Sequence, residues 1–143
     1  MNKLFLVIIV LLLMCGVCRA EEENPFVVAQ AIAFEMGYIQ GINNEDFIKS
    51  YDQFEGLTHS ILDDQLIIDC NLSAYLLGYQ HGITGSDESC IDIYKKIFTN
   101  TATTAEIFKF TEQSAKLSNP KIDKLILEKL DEITERTNKA KED

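Results

Sequence analysis

A ten-residue stretch that occurs twice constrains this chain more than any other feature. Ala33-Phe34-Glu35-Met36-Gly37-Tyr38-Ile39-Gln40-Gly41-Ile42 returns 41 residues later as Ala74-Tyr75-Leu76-Leu77-Gly78-Tyr79-Gln80-His81-Gly82-Ile83. Five positions are identical, and Phe34 meets Tyr75 as a close aromatic match. The spacing predicts a degenerate tandem repeat. Small residues recur at every fourth position: Ala29, Ala33, Gly37 and Gly41, then Cys70, Ala74, Gly78 and Gly82. On a helix they form one narrow stripe, which lets another backbone approach closely. Each interior glycine costs a helix about 0.8–1 kcal/mol, so tertiary packing must offset two per copy.

The remaining punctuation is helical. Asn24-Pro25 reads as an N-cap followed by proline at the first helical position. Asn43-Asn44 breaks that helix, and Glu45-Asp46 restarts a shorter one that Gly56 is expected to end. The second copy is read from about residue 58, through Thr84-Gly85-Ser86, into a short helix capped by Ser86. Thr103-Thr104-Ala105-Glu106 is a capping box, and Asn119-Pro120 repeats the opening signal. The final segment places Ile122, Leu125, Ile126, Leu130 and Ile133 on one face. No stretch shows sustained period-two alternation. The expectation is an all-α domain: repeats over about 25–56 and 58–98, then C-terminal helices over about 104–117 and 120–138.

Lys3, the apolar run Leu4–Met14 and the small residues Cys18 and Ala20 read as a secretory signal cleaved after Ala20. The expected mature chain, 21–143, is one secreted domain (extracellular, periplasmic or endomembrane lumen). Removing Lys3 and Arg19 leaves 11 basic residues against 23 acids, a net charge of −12. That balance argues against nucleic acid and anionic membrane surfaces, and permits a basic partner. In an oxidising compartment Cys70 and Cys90 are expected to form one disulfide. The bridge requires Ile83 to Ser89 to run back extended beside its own helix, because Cys70 lies about 18 Å below Gly82 along the axis.

Candidate chemistry is sparse. Ala33, Gly37, Gly41, Ala74, Gly78 and Gly82 read as the stripes on which the two repeat helices pack against each other, and Phe34, Tyr38, Tyr75 and Tyr79 are candidate linings of a cleft. His59 with Asp63 is too small a set for a metal site, which needs three or four convergent ligands. His81 is expected partly covered at a helix C-terminus, where the first copy has Gln40. No Gly-x-Ser-x-Gly occurs. No catalytic residue, metal or cofactor is assigned. Asn71-Leu72-Ser73 is an N-glycosylation sequon whose use depends on Asn71 facing water.

Gly37-Tyr38-x-x-Gly41 and Gly78-Tyr79-x-x-Gly82 in a small exported helical protein resemble, over a ten-residue stretch, the Tai-type amidase-immunity proteins of type VI secretion. This chain carries two copies and lacks the further cysteines and proline-rich turn of that group, so the likeness assigns no membership. The expected function is non-enzymatic protein–protein binding by a secreted or periplasmic protein, inhibitor-like or immunity-like in its concrete form. The alternative is a carrier holding a small apolar ligand between the repeat helices; a small hydrolase ranks below both.

Overall fold

The structure is a computed structural model that describes residues 25–142, with side chains described over 27–139. The secretory signal expected over 1–20 lies outside the described residues. Those described are all-helical: α1 (Pro25–Ile42), α2 (Phe47–Ile61), α3 (Gln65–Ile83), α4 (Ser89–Phe98), α5 (Thr104–Lys116) and α6 (Pro120–Glu142). None is long and apolar enough to cross a membrane.

Local chemistry sets most boundaries. Carboxylate and hydroxyl oxygens take up N–H groups that a helix start leaves without intrahelical partners. Asp46 accepts from the Lys49 amide at 2.9 Å, Asp64 from Leu66 at 2.9 Å and Thr103 from Glu106 at 3.2 Å. Helices α1 and α3 end in the same way. The Glu45 amide donates to Gln40 O and Asn44 to Gly41 O; 41 residues on, Ser86 donates to His81 O and Gly85 to Gly82 O. These are Schellman closures, which need one left-handed residue. Asn44 (φ 53°) and Gly85 (φ 77°) supply it.

Helices α1 and α3 form the centre, and their glycines fix how they meet. A Cβ built on Gly37 would lie 2.2 Å from Tyr75 O, and one on Gly41 2.5 Å from Tyr79 O. In return, a Cβ on Gly78 would lie 2.0 Å from Phe34 O, and one on Gly82 2.2 Å from Tyr38 O. The register rises together along both chains, so the two helices run parallel with backbone against backbone. Ala33 and Ala74 are buried on the same stripe.

Parallel neighbours need a return segment, and α2 provides it. Its aromatic face packs under the partner helix: Phe54 stacks on Tyr75 with centroids 4.4 Å apart. On the other side Tyr94 of α4 stacks on Phe34 at 4.1 Å. Each long helix therefore rests its ring on the short helix that follows the other one. Helix α6 lies antiparallel on α3. Asp123, near its start, accepts from Gln80 Nε2 at 3.1 Å, and Arg136, near its end, donates to Asp69 at 2.9 Å. Its buried ridge is Ile126, Leu130 and Ile133.

Four expectations are corrected. No disulfide joins Cys70 and Cys90. The chain leaves α3 by the tight Schellman turn, not by an extended return, so Cys90 stays near the end of α3 with Cys70 three turns below. Ser86 Oγ approaches Cys90 Sγ at 3.5 Å instead. Second, Gly56 does not end the second helix, which continues to Ile61. Nothing lies within 4 Å of a Cβ built there; buried Phe54 and Thr58 on either side hold the helix through the glycine. Asp64 then starts α3, moving the boundary between the helix pairs to 62–64. Third, Ser86 does not cap α4: the N-cap position falls to Glu88, which makes no side-chain cap hydrogen bond, and Asp87 just before it accepts from the Ser89 amide at 2.9 Å. Fourth, Asn71 is 3% exposed and donates to Ile67 O at 2.8 Å. The folded domain has no room for a glycan on it.

Candidate functional site

The residues singled out in the sequence divide between the centre of the fold and its edge. Phe34, Tyr75 and Tyr79 are at most 1% exposed and do not line an open cleft. Their rings are in contact with protein side chains, Phe34 with Tyr94 and Phe110, Tyr75 with Phe54, Tyr79 with Phe47. The Tyr75 hydroxyl donates to Gln40 Oε1. Burial raises the pKa of Tyr51 and Tyr75 well beyond the usual phenol range, because the low-dielectric interior disfavours a phenolate.

The Tyr38 and Tyr79 hydroxyls are donors of a matched kind. Tyr38 donates to Ser86 O at 2.7 Å and Tyr79 to Glu45 O at 2.6 Å. Each pins the loop that follows the other long helix, and both donor and acceptor positions are 41 residues apart.

His81 is not partly covered but fully buried. Its Nδ1 lies 2.9 Å from Ser86 Oγ and its Nε2 3.0 Å from Ser114 Oγ, so it ties the α3–α4 loop to α5. The ring stacks on Phe110, centroids 5.1 Å apart. Burial pushes its pKa down to about 4. His59, by contrast, is on the surface, with Nδ1 2.9 Å from Glu55 O. Among the described residues no three His, Cys, Asp or Glu side chains converge to hold a metal ion.

The conspicuous surface is on α1. Its inner stripe is committed to α3, yet its outer face is also apolar: Val28, Ile32, Ile39 and Ile42 are each 45–50% exposed. Between this face and α4 runs a groove of about 620 Å³. Glu35, Ile39 and Ile42 form one wall; Ile91, Asp92 and Lys95 form the other. Tyr38, the one member of the four candidate ring residues to touch it, and Glu88 also line the groove. Glu35 and Lys95 bridge the groove at 3.3 Å. That amine is the single basic group among the lining residues, against three carboxylates.

Compared with protein-family models, curated proteins and solved structures, the chain matches none. The functional reading therefore rests on this surface alone.

The outer α1 residues were not singled out in the sequence, although a signal for them is present. Val28, Ile32 and Ile39 stand 41 residues before Asp69, Ser73 and Gln80. The apolar set is exposed and the polar set is buried, an inversion that shows up once the two windows are aligned and burial is known.

Proposed function

We propose that the protein is exported, loses residues 1–20, and acts without catalysis by binding another protein through the outer face of α1. The observation that carries this reading is the row Val28, Ile32, Ile39 and Ile42, half-exposed on a rigid helix. Exposed apolar side chains aligned on one face, rimmed by charge, mark an interaction surface. The helix beneath packs backbone against backbone on α3 through its glycines, so the face is presented on an ordered scaffold and little ordering is required on association. A net charge of −10 for the whole chain, −12 after loss of Lys3 and Arg19, favours a basic partner. An inhibitor-like or immunity-like protein that covers a hydrolytic or basic target is the concrete form of the proposal.

We further read helices α1–α2 and α3–α4 as two degenerate copies of one unit. The shared 41-residue offset in the glycine contacts, the Schellman closures and the tyrosine donors supports this reading.

The test is site-specific photocrosslinking in the native host, with a photoreactive residue at Ile39 and a control at Glu128 on α6. One discrete adduct from position 39, absent from position 128 and lost in an Ile32→Glu background, is the expected result. Equal or absent labelling at both positions would remove α1 as the binding face.

A further inference from the structure

The outer face of α1 has a counterpart on α3, and on α3 it is covered. Val28, Ile32, Glu35 and Ile39 correspond, at the 41-residue offset, to Asp69, Ser73, Leu76 and Gln80. All four α3 residues are buried, 1–8% exposed. Helix α6 covers them: Arg136 and Thr137 reach Asp69 at 2.9 Å each, and Gln80 donates to Asp123. The reciprocal glycine contacts relate α1 and α3 by an approximate two-fold axis along the pair. The same rotation that carries α3 onto α1 carries the seat of α6 onto the row Val28–Ile32–Ile39. One seat is filled by the chain itself, and its equivalent is left open by the described residues.

We propose that the open seat takes an amphipathic helix from a partner protein, lying antiparallel to α1, with basic residues on the edge that faces α4. This rests on the protein-binding reading above and specifies the shape and charge of what binds. Helical form follows from the occupant of the equivalent seat, since α6 meets α3 with a ridge at three- and four-residue spacing (Ile126, Leu130 and Ile133). The chemistry of the ridge follows from α1. Where α3 offers Asp69 and Gln80, and α6 answers with Arg136 and Asp123, α1 offers Val28 and Ile39. An occupant of α1 therefore needs aliphatic residues at both ends of its ridge. The basic flank follows from the groove: Glu35, Glu88 and Asp92 line it, and Lys95 is already engaged by Glu35. Lysine or arginine on the incoming helix would meet uncompensated carboxylates there, and an acidic helix would meet repulsion.

The experiment uses the processed chain and two synthetic peptides of about five helical turns. Both carry leucines at ridge spacing; one has lysines on its flanks and the other glutamates. Binding is followed by amide chemical shifts and by titration at two salt concentrations. The lysine peptide is expected to bind one-to-one, with shifts confined to α1 and α4. Ile32→Glu and Ile39→Glu are each expected to weaken it at least tenfold with the urea midpoint retained, because both side chains are half-exposed. Glu35→Gln with Asp92→Asn should weaken it severalfold and flatten its salt dependence. Equal or tighter binding of the glutamate peptide, shifts outside α1 and α4, or no binding of either peptide would overturn the proposal. A concentration-dependent dimer abolished by Ile32→Glu would also overturn it, by making the occupant a second copy. Loss of the helix proposal alone would leave the position-39 crosslink intact; loss of the binding reading would remove the crosslink as well.

Discussion

Tyr38 and Tyr79 occupy equivalent places on two parallel helices, and each closes the other's exit. The Tyr38 hydroxyl holds Ser86 O at 2.7 Å in the loop after α3, while Tyr79 holds Glu45 O at 2.6 Å in the loop after α1. The crossing is possible because glycines at 37, 41, 78 and 82 leave no side chain between the helices. Ring, loop and glycine stripe thus depend on one another: widening the helix pair would also draw both hydroxyls from their acceptors.

The glycines are therefore expected to respond very differently to alanine. Gly37→Ala or Gly78→Ala places a methyl 2.2 or 2.0 Å from a backbone oxygen that cannot move without its helix. Either should cost more than about 3 kcal/mol or prevent folding, as overpacking against backbone does. Gly56→Ala meets nothing within 4 Å, and should stabilise by about 0.5–1 kcal/mol through helix propensity and a less flexible unfolded chain. Urea midpoints of the three variants decide this; a neutral Gly78→Ala would mean that α1 and α3 are further apart than described.

Acid should weaken the fold through His81. Its pKa falls from 6.5 to about 4 on burial, so across that window the unfolded chain binds the proton more readily than the folded one. Stability from this group is complete above pH 6.5, declines as pH drops, and stops declining near pH 4. The full difference is roughly 3 kcal/mol, at about 1.36 kcal/mol per unit. Carboxylates titrate nearby, so the quantity to measure is the difference in unfolding free energy against pH between the parent chain and His81→Gln. Gln40 stands at this place in the first window. The variant should lose less on going from pH 7 to pH 4; parallel profiles would show that His81 does not control acid sensitivity.

Cys70 and Cys90 should behave as buried thiols that are not joined to each other. Cys70 is 4% exposed and Cys90 0%, and burial pushes the Cys90 thiol pKa up. A high-pKa, solvent-excluded thiol is a poor nucleophile. A purified chain beginning at Glu21 should show the same mass with and without reductant. A thiol reagent should label both cysteines only as fast as the protein unfolds. Loss of two hydrogens in the non-reduced mass would demonstrate a Cys70–Cys90 bridge and demand rearrangement of residues 83–89.

Much of the local structure was legible in the chain itself. Pro25 and Pro120 at helix starts, Thr103 with Glu106, and the breaks at Asn43-Asn44 and Thr84-Gly85 act through residues close in sequence, so the signal and its effect share one window. The glycine stripe likewise announced that a backbone must come close. That the two stripes face each other followed from their repetition, but the direction depended on the whole fold: parallel contact requires α2 as a return, and Gly56 gave the wrong stop because buried Phe54 and Thr58 outweigh one weak helix former. The ties that seat α6 lie 43 and 67 residues apart in the sequence, and no local pattern pairs Gln80 with Asp123 or Asp69 with Arg136. The sequence by itself determined the helices and the stripe on which two of them meet, because these follow from short-range backbone chemistry. Tertiary structure alone decided that polar Asp69 and Gln80 are covered while apolar Val28 and Ile39 are open, because α6 lies against the outer face of α3 and not against that of α1.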